Sequence, residues 1–202
     1  MESAASESRE FPAAEVIDLK DPASAALLAW LIPGLGHWYQ GRRAKAVLFF
    51  FCILCPFLYG VYLGGDREMG FGRAVYFSWR EGDRRLAYLG QIGIGVAALP
   101  ALVQANRMAN HQPVWWHGFM APPRLPTREL QQDLNSGQPT LSDLNKELHH
   151  FFELGTVFTV IAGLMNILAI YDAFAGPAPA VPKKEEKPKA GEKAETGEAE
   201  GV

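Results

Sequence analysis

The chain has 202 residues, and 22 acidic against 19 basic side chains give it a formal net charge of −3. Without a basic excess, the composition argues against nucleic acid as a partner. The mean hydropathy of −0.02 and the charged fraction of 20% would suit a soluble protein. These averages combine strongly apolar inner segments with polar ends, so the segments are more informative than the mean.

Four long apolar runs dominate the middle of the chain, at residues 23–39, 46–63, 86–105 and 154–175. A bilayer hydrocarbon core about 30 Å thick is crossed by roughly 17 to 25 helical residues, and each run falls in that range. The sequence therefore predicts an all-α fold, a membrane-embedded bundle of four transmembrane helices within residues 22–175. An even number of crossings places both termini on the same side.

The two ends of the chain differ in composition from the middle. Residues 1–21 hold more acidic than basic side chains, the reverse of the start of a secretory signal peptide. We therefore expect the first apolar run to remain as a membrane anchor. Residues 176–202 consist mainly of Pro, Ala, Lys, Glu and Gly, which bury too little apolar surface to fold. Both ends are predicted to be disordered tails.

The first apolar run has a defined start and an interrupted end. Asp21 can accept hydrogen bonds from free backbone N–H groups, and Pro22 suits the first helical position because no N–H is needed there. Further along, Pro33 removes a helical hydrogen bond, and Gly34 and Gly36 weaken the following turn. We expect a kink or an unwound segment at this point.

A short basic connection links the interruption to the second run. Arg42, Arg43 and Lys45 lie within about six residues, a length that fits an antiparallel hairpin. A polar ring, aromatic anchors and positive charge converge here, which suits an anionic lipid headgroup or a segment of another membrane protein. The alternative is that the break only shapes a tight hairpin. The candidate contact residues are Pro33, Gly34, Gly36, His37, Tyr39, Arg42 and Arg43.

Cys52 and Cys55 in the second run have the spacing of a thiol redox pair. They lie roughly 10 to 14 Å into the predicted helix, where a thiolate is strongly disfavoured. Membrane thiol oxidoreductases also need a second cysteine pair, and this chain has two cysteines in all. We therefore interpret both cysteines as small apolar packing residues.

The third and fourth runs each carry a polar residue where the bilayer interior is expected. Gln91 lies in the third run and Asn166 in the fourth, and both are candidate intramembrane polar contacts. Asn166 could hydrogen-bond a neighbouring helix or bind a substrate. Between the runs, an aromatic segment around Trp115 is predicted to lie at the interface. A helix start at Ser142 is expected to continue into the fourth run.

The five histidines do not have the spacing of metal ligands. No two of them fall on one face of a predicted helix, and all lie near predicted interfaces, where an amphipathic ring is well accommodated. We therefore predict no metal site, no cofactor and no catalytic residue. The histidines are His37, His111, His117, His149 and His150.

Residues 31–46 read Leu-Ile-Pro-Gly-Leu-Gly-His-Trp-Tyr-Gln-Gly-Arg-Arg-Ala-Lys-Ala and resemble the hairpin of two-transmembrane (TM-two-like) domains. In that family a Pro-Gly-x-Gly segment leads to an aromatic residue, a glycine and a basic hairpin. The Asp-Arg-Phe-type triplet of eukaryotic members is missing, because residues 41–43 are Gly-Arg-Arg. The resemblance therefore does not imply the signalling role attached to that triplet.

Other segments, among them residues 86–91, 152–156 and 162–166, resemble a bacterial family of small multi-pass membrane proteins of unknown function. This resemblance covers most of the chain between the tails. It implies a location in the bacterial cytoplasmic (inner) membrane, and it implies no activity.

Three functions are compatible with these features. The first is a non-catalytic integral membrane protein that acts as a structural or partner-binding component. The second is a small transporter or a lipid-interacting protein that uses the break from Pro33 to Gly41 and the aromatic segment around Trp115. The third is a membrane thiol oxidoreductase. A charged residue near the membrane centre would favour transport and a second cysteine pair would favour redox chemistry, and the sequence has neither. The expected partners are the lipid bilayer, other membrane proteins and anionic lipid.

Overall fold

The computed structural model describes residues 20–80, 83–124 and 138–176, which are mainly helical. The tails predicted to be disordered lie almost entirely outside these residues. The helices in chain order are α1 (Pro22–Leu31), α2 (Leu35–Tyr39), α3 (Arg43–Leu63), α4 (Ala87–Gln91), α5 (Leu99–Ala109), α6 (Leu141–Leu148) and α7 (His150–Ala175). Segments of 3-10 helix cover Ile92–Ala98 and Trp116–Gly118, and β1 (Trp79–Arg80) pairs antiparallel with β2 (Asp83–Arg84).

The first predicted helix is two short helices that fold back on each other. Asp21 caps α1 by accepting a 2.7 Å hydrogen bond from the N–H of Ser24, as its position predicts. After Leu31 the chain turns at Gly34, whose φ is +83°. The ammonium of Lys20 then lies 4.9 Å from the ring centre of Tyr39. The break was predicted correctly, but a single helix over residues 23–39 is wrong.

The centre of the fold is the antiparallel pair of long helices α3 and α7. Their backbones approach closely where Gly60 faces Gly155, since a Cβ on Gly155 would lie 2.6 Å from the carbonyl oxygen of Gly60. At the other extreme of the pair, Lys45 of α3 meets Asp172 of α7. We call this extreme the hairpin end. The opposite extreme, with residues 64–80, 83–86, 110–124 and 138–149, is the cap end.

The third predicted helix is also interrupted. It begins as α4, passes through a 3-10 segment and breaks at Gly95, whose φ of +85° and ψ of −136° are not helical. The hydroxyl of Tyr88 donates a 2.8 Å hydrogen bond to the carbonyl of Ala98. In a straight helix these two residues would be about 15 Å apart along the axis, too far for one side chain to reach. The predicted continuous helix over residues 86–105 is therefore wrong.

After the break, α5 leads back toward the cap end. Met108 near its last residue lies 3.2 Å from the guanidinium of Arg80, which belongs to β1 at the cap end. The side-chain amide of Gln104 donates to the carbonyls of Trp115 and Phe119, at 2.7 and 3.0 Å. The aromatic segment after α5 is thus fixed against the same helix that it follows.

The helix before the fourth run is separate from that run. Thr140, not Ser142, caps α6, and it exchanges hydrogen bonds with Asp143 in a capping box. Between α6 and α7 lies His149 with φ of +48° and ψ of −131°, so the predicted continuity is wrong. Leu144 and Leu148 on α6 pack with Tyr76 and Phe152 into a second apolar core at the cap end.

Three helical stretches are long and apolar enough to cross a membrane, Arg43–Leu63, Ala87–Ala109 and His150–Ala175. The middle stretch contains the Gly95 break. The first apolar helix, α1, has ten residues and is shorter than a crossing requires. Four transmembrane helices are therefore not confirmed, while a mainly helical fold with membrane-length helices is.

Candidate functional site

A cluster of charged and polar side chains joins the two helix ends at the hairpin end. The carboxylate of Asp172 accepts from Nε2 of His37 at 2.7 Å and from Nη2 of Arg42 at 3.1 Å. Nζ of Lys45 contacts both of its oxygens, at 2.9 and 2.7 Å. We call these four residues the hairpin clamp. They connect α2 and the start of α3 to the last turns of α7.

Backbone groups extend this connection. Nε2 of Gln40 donates a 2.6 Å hydrogen bond to the carbonyl of Ala173, one residue beyond Asp172. Ala173 packs with Ala25 and Ala29 in a small apolar core. The last turns of α7 therefore hold α1 by packing and α2 by hydrogen bonds.

The protonation of His37 follows from its surroundings. A carboxylate flanked by Arg42 and Lys45 is an acceptor only, so Nε2 of His37 must carry the hydrogen that it shares with Asp172. His37 is completely buried, and its Nδ1 has no hydrogen-bond partner among the described residues. A second proton on this ring would face no acceptor while two cations stand nearby, so the ring is neutral.

The residues predicted as lipid or partner contacts do gather in one region. His37 and Arg42 belong to the hairpin clamp. Pro33 and Gly34 form the turn between α1 and α2, and Gly36 lets α2 lie against the backbone of Ala25. These five residues therefore have internal partners that the sequence did not indicate.

Tyr39 and Arg43 complete the predicted set and lie at its surface. Tyr39 is half-buried beneath the ammonium of Lys20. Arg43 is exposed, and its guanidinium lies 5.8 Å from the ring centre of Trp38, which is 52% exposed. Arg43 makes no ion pair within the described ranges, in contrast to Arg42 and Lys45.

Asp172 and Lys45 were not predicted as members of the site. One signal could have found them, because an acid in the last turns of an apolar run needs a cation, and the hairpin supplies three. The sequence alone does not say which helix end meets which connection. That information comes from the antiparallel packing of α3 and α7.

A second polar group, which we call the inner cluster, consists of Gln91, Thr159 and Asn166, all completely buried. The amide nitrogen of Gln91 donates to the hydroxyl of Thr159 at 2.8 Å and to the carbonyl of Ala74 at 3.0 Å. That of Asn166 donates to the carbonyls of Ala29 and Gly93, at 3.2 and 2.9 Å.

Both amides of the inner cluster thus donate between elements, which is one of the two roles that the sequence left open for Asn166. A single Asn166 amide joins α7 to α1 and to the 3-10 segment before the Gly95 break. The side-chain oxygens of Gln91 and Asn166 have no partner among the described residues. An unpaired buried acceptor carries an energetic cost, and this cost applies to both oxygens.

Two arginines at the cap end are structural and were not predicted as site residues. Arg73 is 2% exposed and donates to the carbonyl of Met69 and to the side chain of Gln138, each at 2.6 Å. Burial lowers its pKa to about 10. Arg85 lies 4.6 Å from the ring centre of Tyr76 and donates to Thr156 of α7 at 2.7 Å.

The two cysteines lie elsewhere, on the outer face of α3. Both Cys52 and Cys55 are exposed and free. Both side chains lie outside the packed interior, so the interpretation of Cys52 and Cys55 as packing residues is wrong. Within the described ranges, no three His, Cys, Asp or Glu side chains are placed to hold a metal ion.

Most of the chain matches a protein-family model. Residues 24–186 match the model of a family of unknown function, DUF6677. The chain belongs to this family. No curated protein and no solved structure matches the chain. The matched region begins in α1 and includes the hairpin clamp and the inner cluster, so both lie within the DUF6677 region.

Proposed function

We propose that this DUF6677 protein is a non-catalytic integral membrane protein, a structural or partner-binding component with two crossings and two re-entrant hairpins. The two crossings are α3 and α7, with 21 and 26 residues. The two hairpins, α1–α2 and α4–α5, enter from opposite sides and meet inside the membrane. This topology replaces the four crossings expected from the sequence.

The length and the turn of α1 support the first hairpin. Ten residues rise about 15 Å, half of a hydrocarbon core. The chain then reverses at Gly34 and returns to Tyr39, next to Lys20. Lys20 and the clamp residues therefore lie at one membrane surface, together with the end of α7 at Ala175.

The Gly95 break supports the second hairpin. The chain enters beside α7 at the cap end, where Arg85 bonds Thr156, and reaches Gly93 beside Asn166. It then returns through α5 to Arg80. Non-helical backbone at membrane depth is tolerated where protein covers it, and here α1 covers Gly95.

The two halves of the chain therefore have the same order of elements and opposite orientations in the membrane. In each half a re-entrant hairpin precedes one crossing, α1–α2 before α3 and α4–α5 before α7. The two crossings are antiparallel, so the halves are related as inverted repeats. We propose this relation from the element order and from the contacts between Asn166 and both hairpins.

One observation supports a structural role over transport. Asp172, the acid inside the long run of α7, contacts three side chains of the hairpin clamp. The tips of the two hairpins are packed so tightly that a Cβ on Gly95 would overlap the carbonyl of Trp30. Such a closed interior suits a rigid component of a larger membrane assembly.

Cysteine accessibility tests the topology. In a C52A/C55A background, single cysteines replace the exposed residues Lys20, Ala44, Arg84, Asn110 and Asn145, and a membrane-impermeant maleimide is added to intact cells or to inverted vesicles. We expect K20C and A44C to react from one side and R84C, N110C and N145C from the other. Four crossings would instead pair position 20 with 84 and position 44 with 110, and would overturn the proposal.

Co-purification tests the proposed role. Crosslinking in membranes followed by gentle extraction should recover a reproducible set of other membrane proteins with this chain. The Gly60→Leu variant, which separates α3 from α7, should lose that set. Recovery of the chain alone, as a monomer, from membranes that retain other complexes would contradict a partner-binding role.

A second candidate function is transport, which the unpaired oxygens of Gln91 and Asn166 favour. Re-entrant hairpins that meet at buried polar groups form the pathways of several channels and transporters. Proteoliposomes can be assayed for water, proton and potassium flux, with Asn166→Leu as the matched variant. Flux above that of empty vesicles, lost in Asn166→Leu, would establish transport over the structural role.

A further inference from the structure

We propose that an anionic phospholipid binds at the hairpin end, with one acyl chain between α2 and α3 and its phosphate beside Arg43. This site rests on the proposed topology, because it requires the α1–α2 hairpin to lie within the bilayer. It assigns a ligand class to the predicted basic hairpin.

The acyl chain has a groove of suitable shape and chemistry. A cavity of about 310 Å³ lies between the α1–α2 turn and the first turns of α3. All of its lining residues are hydrophobic or glycine, and those on α3 run from Ala46 to Phe51, about 7.5 Å along the helix axis. The main lining residues are Ile32, Leu35, Trp38, Val47, Phe50 and Phe51.

The groove opens sideways toward the surrounding lipid. Ile32, Val47 and Phe51 are 44, 46 and 58% exposed although they line the cavity. The Pro33–Gly34 turn bounds the groove, since Gly34 lies against the backbone of Ala46 and keeps the tip of the hairpin close to α3. An acyl chain can therefore enter from the bilayer without passing through water.

The charge at the mouth of the groove selects an anionic headgroup. Lys20, Arg42, Arg43 and Lys45 stand against two acids at this end, Asp21 and Asp172, which leaves a net charge of +2 among the described residues. Arg42 and Lys45 already form ion pairs with Asp172. Arg43 has no ion pair there, and it lies beside Trp38, whose ring suits the headgroup level.

Lipid retention measured by native mass spectrometry tests the site. The purified full chain is exchanged into mixed micelles with equal phosphatidylglycerol and phosphatidylcholine. We expect the wild type to retain one phosphatidylglycerol. Arg43→Gln should reduce the fraction of protein that retains this lipid about fivefold. Arg84→Gln removes an exposed cation from the cap end and should leave retention unchanged. Equal retention in Arg43→Gln and the wild type would overturn the headgroup contact.

A groove variant tests the acyl chain separately. Val47→Trp fills the cavity and should reduce retention about fivefold or more, whereas Leu48→Trp on the exposed neighbouring face should not. Should Val47→Trp fail to fold, the wild type is photolabelled instead with a phosphatidylglycerol that has a photoreactive acyl chain. Residues 32–51 should then carry the label. Labelling confined to other segments, or equal retention in the two Trp variants, would overturn the proposal.

The outcomes separate this site from the topology on which it rests. A cysteine at position 20 that reacts from the side opposite to position 44 would refute the re-entrant hairpin, whatever lipid is retained. Correct cysteine labelling together with no preference for phosphatidylglycerol over phosphatidylcholine would refute the lipid site alone.

Discussion

At the scale of single residues, Asp172 has the largest number of polar contacts in the membrane-length helices. It neutralises two cations and orients a buried histidine, so its removal leaves several groups unpaired. The carboxylate is partly exposed, and water can therefore compensate part of the loss. Its contribution should lie below that of a fully buried ion pair.

We predict that Asp172→Asn lowers the free energy of unfolding by about 2 kcal/mol, because Arg42 and Lys45 lose their counter-ion. Thermal unfolding in detergent, followed by circular dichroism, measures the change. Glu153→Gln is the matched control, as it neutralises an exposed acid at the other end of α7. An equal loss of stability in both variants would contradict the hairpin clamp.

Gly95 is the second residue on which the fold depends. Its φ and ψ suit glycine alone, and a Cβ would overlap the carbonyl of Trp30. We predict that Gly95→Ala costs about 3 kcal/mol or more. Gly41 provides the control, since it has a similar φ of +81° with open space around it, and Gly41→Ala should cost about 1 kcal/mol. Similar losses at both positions would show that the hairpins do not meet as described.

At the scale of elements, the junction between α6 and α7 stores backbone strain. His149 has φ of +48° and ψ of −131°, which cost an L-residue of order 1–3 kcal/mol. This non-helical conformation directs α6 away from the axis of α7, so that Leu144 and Leu148 contact Tyr76. Apolar packing at the cap end compensates for the unfavourable junction.

We predict that His149→Gly stabilises the protein by about 1 kcal/mol, because glycine adopts this conformation without strain. The comparison is His150→Gly, which places glycine in the first turn of α7 and should destabilise it by up to about 1 kcal/mol. Both values come from the same thermal unfolding assay. A destabilised His149→Gly variant would mean that His149 has a role beyond the junction.

At the scale of the whole molecule, the two proposed halves should recognise each other. Fragments 1–82 and 83–202 each contain one hairpin and one crossing under the proposed topology. Contacts between α3 and α7, and between α1 and α7, then cross the boundary. We predict that the two fragments, expressed together, are extracted from membranes as one complex.

The variant Gly155→Leu tests that association, because a side chain there would collide with the backbone of Gly60. It should abolish co-purification of the tagged fragments, while Leu154→Ala on the exposed face of α7 should not. If wild-type fragments fail to associate although each one inserts, the described packing between the two halves is incorrect.

Local sequence features predicted most of the apolar helices and the start and interruption of α1. Three of the four apolar runs correspond to membrane-length helical stretches, Asp21 and Pro22 predicted the start of α1, and Pro33 and Gly34 predicted its interruption. These features depend on a few neighbouring residues, through hydrophobicity, capping and backbone freedom. The resemblance to TM-two-like hairpins and the bacterial inner membrane stay predictions.

Only the tertiary structure decided how the interrupted segments are used. A proline and two glycines predict a break, but not whether the chain continues or reverses. The reversal at Gly95 was not predicted, although Pro100 lies in the first turn of the helix that follows it. Asp172 meets His37 across 135 residues, and Asn166 meets Ala29 across 137. Contacts at such separations depend on the packing of α3 against α7. The sequence by itself therefore determined which segments are apolar and where α1 starts and breaks, and the packing of the long helices decided which polar groups meet.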